Sequence, residues 1–328
     1  MNIYVVSFSA LYYLRDGMKL PDVPRSATLF DCCTDAASTH AHKMRDWMFG
    51  MGPVDLMVPS AALRCAPSEY SYRVWAGRLP AGAFLDAGAG LFMASPELVF
   101  LQMGSELSVA GLVQLGLELC GTYRLKSNGS FQSGCEPLTT PGQLELFVTQ
   151  AVGFPGRKRA LRALPWIISG AASPMETRLV IRLCLPPRYG GCSCPLPDMN
   201  ALLELSTAQC DLAGRSCLYG DLYWPTHKVL VEYNGQEWHS GRAHITSDAQ
   251  RANALSTLGL KPFFVTADIY NSAEKFDSLV CEIRRALGRH VTHPSHEQNL
   301  LRHALPAELG EQEQLTRVRD ELQRLDES

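Results

Sequence analysis

No stretch at the start of the chain is suited to crossing a bilayer. The apolar opening, Asn2 to Leu14, is shorter than the ~20 residues a membrane helix needs. It is also not preceded by the Lys or Arg of a secretory leader. It is expected to be a core strand or short helix of a soluble, cytoplasmic protein. An excess of positive charge is lacking too. Lys and Arg total 30 against 33 Asp and Glu, for a net charge of −3 and a pI near 6.3. A whole-molecule basic field that would attract polyanions is thereby excluded. A contact with nucleic acid has to rest on a local basic face, and Arg157, Lys158, Arg159 and Arg162 supply one. Such clusters are more often solvated faces than phosphate sites. There is no regular cysteine framework. The eleven cysteines are odd in number and irregularly spaced, with Cys32 and Cys33 adjacent, which fits reduced thiols of a cytoplasmic protein. Cys192 and Cys194, with Cys210 and Cys217, lack the CxxC turn of zinc sites and are expected to be core or loop thiols. Internal repeats and low-complexity tracts are absent.

What is present is ordinary globular material, 328 residues with 46% hydrophobic and 19% charged. That is enough for two domains, each with its own core. Turn formers between Lys126 and Gly142 suggest a boundary. The expected organisation is a mixed α/β domain over 1–125, a linker with helices over 126–170, a second domain over 171–288 and a charged, amphipathic helical tail over 289–328. Helices are expected at Thr34 to Phe49, after Ser95-Pro96, from Glu106 to Leu119, from about Pro141 to Val152 and from Gly156 to Ile168. Further helices should follow Ser173-Pro174 and run over Ile245 to Leu258 and Ile269 to Leu287. In the Ser-Pro cases serine is the N-cap and proline suits the first turn. Strands are expected at Val54 to Val58, Tyr72 to Trp75, Leu202 to Leu205, Leu218 to Tyr223, Val229 to Tyr233 and Pro262 to Thr266. The tail stripe of Leu309, Leu315, Val318, Leu322 and Leu325 leaves three alternatives: docking on the body, pairing with another chain such as a second copy of itself, or a mobile tail.

The stretch carrying chemistry is Gly220 to His239. Asp221 opens an extended run, and eleven residues later Glu232 sits inside the apolar segment Val229 to Tyr233. Burying a carboxylate among valines and leucines is unfavourable unless a cation or donor compensates. Two such acids on one β-hairpin suggest a site for a divalent metal. The alternative is an ion pair with Lys228 or Arg242.

In order, the second half reads as a helix with Glu176, a strand, a strand with Asp221, a strand with Glu232, a helix, a strand and a helix. This αβββαβ order, with Ser173-Pro174-Met175-Glu176, Asp221-Leu222-Tyr223-Trp224-Pro225, Val231-Glu232-Tyr233-Asn234-Gly235, His239 and the helix and strand from Asp248 to Thr266, resembles the PD-(D/E)XK nucleases. More narrowly, residues 171–287 are similar to the bacterial domain family that resembles the very short patch repair endonuclease. The resemblance implies a restriction-endonuclease-like fold and Mg²⁺- or Mn²⁺-dependent hydrolysis of DNA. It implies that Asp221, Glu232 and the Tyr233 carbonyl hold the metal, that Glu176 orients a water, and that His239, four residues after Gly235 as in that enzyme, moves a proton. Arg157, Lys158, Arg159, Arg242 and Arg251 are the candidate DNA contacts. Asn234 stands where the parent pattern has Lys, with Gln236 two residues on. A DNA-binding regulator or antitoxin without turnover is therefore the alternative. Phe92-Met93-Ala94-Ser95-Pro96-Glu97 resembles the amino-terminal region of proteins related to abortive-infection type IV antitoxins, which implies a regulatory or DNA-contacting first domain.

Overall fold

The computed structural model describes residues 2–15, 53–64, 70–88, 90–126, 128–207, 209–210, 216–234, 255, 257–291 and 294–310. The chain is mixed α/β and divides into two compact units, residues 1–167 with 309–328, and residues 168–308. Residues 126–167, set apart in the sequence reading, belong to the first unit. The expected helix Thr34 to Phe49 lies outside the described residues, as does most of Ile245 to Leu258.

In the first unit the strands are β1 (Ile3–Val5), β2 (Val54–Val58), β3 (Tyr70–Val74), β4 (Phe84–Gly88) and β5 (Leu91–Ala94), in the order β3-β2-β1-β5-β4. β1 runs parallel to β5 and antiparallel to β2. β1 passes directly into helix α1 (Ser7–Arg15), so the opening segment is both strand and helix. Helix α2 (Pro96–Glu106) starts where the Ser-Pro signal puts it: the Ser95 hydroxyl accepts the Leu98 amide at 3.3 Å, and Pro96 occupies the first turn. The helical pattern from Glu106 to Leu119 is broken. Leu107 and Ser108 are extended, and Ser108 caps a separate helix, α3 (Val109–Leu119), through the Gly111 amide. The expected loop after residue 125 holds a small hairpin, β6 (Tyr123–Leu125) with β7 (Phe131–Ser133), turned at Asn128-Gly129. Helix α4 (Pro141–Gln150) begins with a full capping box between Thr140 and Gln143, the reciprocal arrangement that satisfies two orphan amides. Helix α5 (Arg157–Ala163) is shorter than expected, because Pro165 converts its end to a 3₁₀ turn over Leu164–Trp166. α5 crosses α2 backbone to backbone: a Cβ on Gly104 would lie 2.5 Å from the Gly156 carbonyl oxygen.

The second unit begins with α6 (Pro174–Cys184), capped by Ser173. Its sheet has the order β11-β10-β9-β8, from β8 (Asp198–Leu203), β9 (Leu218–Trp224), β10 (Val229–Asn234) and β11 (Lys261–Thr266). β8, β9 and β10 are antiparallel neighbours, and β11 pairs parallel to β10. The run expected from Ile269 to Leu287 is two helices, α7 (Ala267–Asn271) and α8 (Ala273–Ala286), separated by Ser272, which caps the second. After α6 the chain doubles back on the helix end: the amides of Cys192, Ser193 and Cys194 donate to the carbonyls of Arg182, Leu185 and Leu183. Residues 296–310 of the tail are helical, with Leu305 and Leu309 buried. Gly190 admits this helix, since a Cβ there would come within 2.7 Å of the Leu301 carbonyl oxygen. Among the described residues, no helix is long and apolar enough to cross a membrane.

Candidate acidic site on the central hairpin

β9 and β10 are joined by a 3₁₀ turn over Pro225–His227, closed by Lys228 in a left-handed conformation. Their ladder runs from Val229↔Trp224 to Val231↔Leu222. One step further along it, Glu232 comes level with Asp221. There the Tyr233 amide donates to the Asp221 carboxylate, N to Oδ2 at 2.8 Å. A side chain thus holds the strand where it leaves the hairpin. Glu232 is buried at 3% exposure, and its neighbour on β11 is Phe264. Asn234 lies on the same face as Glu232, two residues on, at the exposed end of β10.

On the other side of β9, the pairs Met199↔Leu222 and Ala201↔Gly220 leave Asn200 across from Asp221. Asn200 takes φ = 47°, a left-handed conformation that asparagine tolerates better than most residues. Its amide donates to the Gly170 carbonyl at 2.8 Å and to Glu176 Oε2 at 2.5 Å. Glu176 is buried in the first turn of α6. It also accepts from the Ala172 amide at 2.9 Å and the Ser173 hydroxyl at 2.8 Å, while Ser173 caps the Glu176 amide. The order Glu176, Asn200, Asp221, Glu232 therefore runs from the helix across three strands. Asn200 is the member that pattern reading missed. Only its residue type, adapted to a left-handed bend, hinted at the role.

The three acids do not make a cage. Among the described residues no group of three or more His, Cys, Asp or Glu side chains is placed to hold a metal ion. Glu176 accepts three hydrogen bonds, against about four lone-pair sites on a carboxylate. The donors named from the sequence for a metal are Asp221, Glu232 and the Tyr233 carbonyl. Two carboxylates and a carbonyl, completed by water, suit a hard cation such as Mg²⁺. Burial raises the Tyr233 phenol above its ordinary value, and the Arg178 guanidinium on α6 opposes that rise. The Tyr233 ring meets Tyr270 edge-on at 6.5 Å. Behind it the buried Arg182 lies against the rings of Tyr270 and Phe276, at 4.5 and 3.4 Å, and donates to the Tyr270 carbonyl at 2.6 Å.

His239, Gln236, Arg242 and Arg251 lie outside the described residues. Of the basic cluster, Arg157 donates to the Val148 and Thr149 carbonyls at the end of α4, both at 2.8 Å. Arg159 reaches the Gly104 and Leu107 carbonyls at the end of α2, at 3.1 and 2.8 Å. Both arginines thus satisfy carbonyls that a helix end leaves without partners. Lys158 and Arg162 are exposed and, with the two arginines, border an open depression of about 620 Å³. Cys192 and Cys194 are buried free thiols, pushed up by burial to about 11 and about 12. They are protonated at neutral pH and poor metal ligands. Comparison with protein-family models, curated proteins and solved structures yields no match for this chain.

Proposed function

We propose that the second unit is a metal-dependent DNA endonuclease that hydrolyses phosphodiester bonds with Mg²⁺ or Mn²⁺. The observation carrying this reading is the placement of Asp221 and Glu232 on paired strands, in the element order that the resemblance implies, with the buried Glu176 tied to the adjoining strand through Asn200. Asp221, Glu232 and the Tyr233 carbonyl would hold the ion, which when bound supplies Lewis-acid charge and an activated water. Asp221 orients the end of β10 through the Tyr233 amide. Glu176 is hydrogen-bonded by neutral groups, and a remaining lone pair accepts from one attacking water. His239 moves the proton, as an imidazole near neutral pH can. Lys158, with Arg242 and Arg251, contacts the DNA backbone, while Arg157 and Arg159 are engaged by helix-end carbonyls.

Plasmid DNA incubated with the protein and Mg²⁺ or Mn²⁺ tests this. Nicking is expected, with a loss of at least about 100-fold in Asp221→Asn and Glu232→Gln. No nicking by the wild type, or undiminished nicking by both variants, defeats it. One observation favours the second reading, a DNA-binding regulator without turnover: the neutral, exposed Asn234 cannot stabilise developing charge as a lysine would. DNA binding that persists in EDTA with no cleavage supports that reading.

A further inference from the structure

A cavity of about 300 Å³ in the first unit is bordered by Ser7, Tyr72, Arg73, Trp75 and Gln102, with Met57 and Phe154 as apolar wall. Three buried N–H donors on its lining residues have no hydrogen-bond acceptor among the described residues: Gln102 Nε2, Trp75 Nε1 and Arg73 Nε. Buried donors are nearly always paired in native proteins, so three around one cavity call for an explanation. The assignment of the Gln102 amide is fixed by its other end. The Ser7 backbone amide donates to Gln102 Oε1 at 3.0 Å, so the carbonyl end is taken and the NH₂ end is the one left over. Gln102 itself is 7% exposed. Ser7 holds this arrangement from a left-handed backbone, φ = 53°, at the junction of β1 and α1. That conformation is unfavourable for serine, and such residues collect at ligand sites.

Arg73 pairs at 2.9 Å with Glu106, also a lining residue, and Arg64 brings a second cation to the lining, for a net positive charge there. The indole of Trp75, in contact with the Phe154 ring at 4.6 Å between centroids, offers an apolar plane next to its own unpaired N–H. Unpaired N–H groups on the lining residues, a guanidinium and an aromatic wall are the complement of an oxyanion carried on a small, flat body.

We propose that this cavity binds a small molecule bearing an oxyanion, a carboxylate or a phosphate, with Gln102, Trp75 and Arg73 donating to it. The site is separate from the acidic site and does not depend on nuclease activity.

The test uses the full chain with ¹⁵N-labelled tryptophan, in which Trp75→Phe identifies the Trp75 indole N–H signal. Sodium phosphate and sodium benzoate are titrated against sodium chloride at matched ionic strength. The Trp75 signal is expected to shift saturably with phosphate or benzoate and not with chloride, the other four indoles staying in place. The anion that saturates at lower concentration tells phosphate from carboxylate. Gln102→Glu keeps the acceptor for the Ser7 amide but puts negative charge where the donor was, and should weaken binding at least about tenfold. Arg73→Lys keeps the charge facing Glu106 and removes Nε–H, and should weaken it severalfold. A Trp75 signal that moves no further with either anion than with chloride overturns the proposal. So do Gln102→Glu and Arg73→Lys proteins that both titrate like the wild type.

Discussion

Glu118 in the first unit and Glu176 in the second are both buried, and the two are compensated in opposite ways. Glu118, on α3, faces a cation: Arg15 reaches it with Nε at 2.8 Å and a terminal nitrogen at 2.6 Å. Burial pulls the Arg15 guanidinium down, the Glu118 charge and hydrogen bonds pull it up, and the net is a rise. Glu176, on α6, is held by the Ala172 amide, the Ser173 hydroxyl and the Asn200 amide, all neutral. The first arrangement cancels charge inside the fold and serves stability. The second surrounds the carboxylate with neutral donors, one of them from Asn200 on the strand beside Asp221. A buried acid with neutral partners is the kind that a site can use, and one locked to an arginine is not.

The sharpest way to break this comparison is to neutralise both glutamates by the same change. Glu118→Gln strands the Arg15 charge in the interior and should lower unfolding stability by about 3–5 kcal/mol in denaturant titration. A loss below about 1 kcal/mol would remove the distinction. The buried thiols come next. The Cys192 and Cys194 thiols, ordinarily near 9.0, are raised to about 11 and about 12. Above pH 9 the unfolded chain gives up these protons before the folded one does. Their contribution is therefore complete below pH 9 and is lost as pH rises through 11 to 12, by up to about 3 kcal/mol for Cys192 and about 4 kcal/mol for Cys194. Replacing both with alanine should flatten that alkaline decline in the pH dependence of denaturation midpoints.

Smaller still is Glu176→Gln. A glutamine oxygen still accepts from Ala172 and Asn200, and its NH₂ donates to the Ser173 oxygen, so stability should change by no more than about 1 kcal/mol. If the acidic site cleaves DNA, the rate should nevertheless fall by at least about tenfold. An unchanged rate would reduce Glu176 to a helix-capping residue. Last, Lys158→Ala should leave stability within about 0.5 kcal/mol, while Arg159→Ala, which uncaps the end of α2, should lose about 1 kcal/mol. If Lys158 contacts phosphate, its variant should also bind DNA with a shallower salt dependence, and Arg159→Ala should not.

Residue type and spacing made some of this readable in advance. Ser95, Thr140 and Ser173 announce helix starts because a cap is a bond between residues three apart. The β9–β10 hairpin follows from two β-type runs on either side of the turn at Pro225, the second of them continuously apolar up to Glu232. Where the reading fell short, the competing signal was local as well. Ser108 and Ser272 end one helix and begin another inside runs whose apolar stripe looks continuous, and Asn128-Gly129 turns a hairpin in a segment rich in turn formers. Asn200 is a different case. Its bend is set by the pairing of Met199 and Ala201 with β9 and by the presence of Glu176, neither of which is written into the residues beside it.

The amino-acid order alone settled that the chain is mixed α/β, that Asp221 and Glu232 share a hairpin, and that Glu176 opens a helix, because hydrogen bonds and side-chain periodicity within a few residues dictate those features. Folding in three dimensions decided which acids are neutralised. Arg15 finds Glu118 across 103 positions, Asn200 finds Glu176 across 24, and the donors of Arg73, Trp75 and Gln102 come to border one cavity. Charge compensation and desolvation depend on what is near in space, and separation along the chain does not encode that.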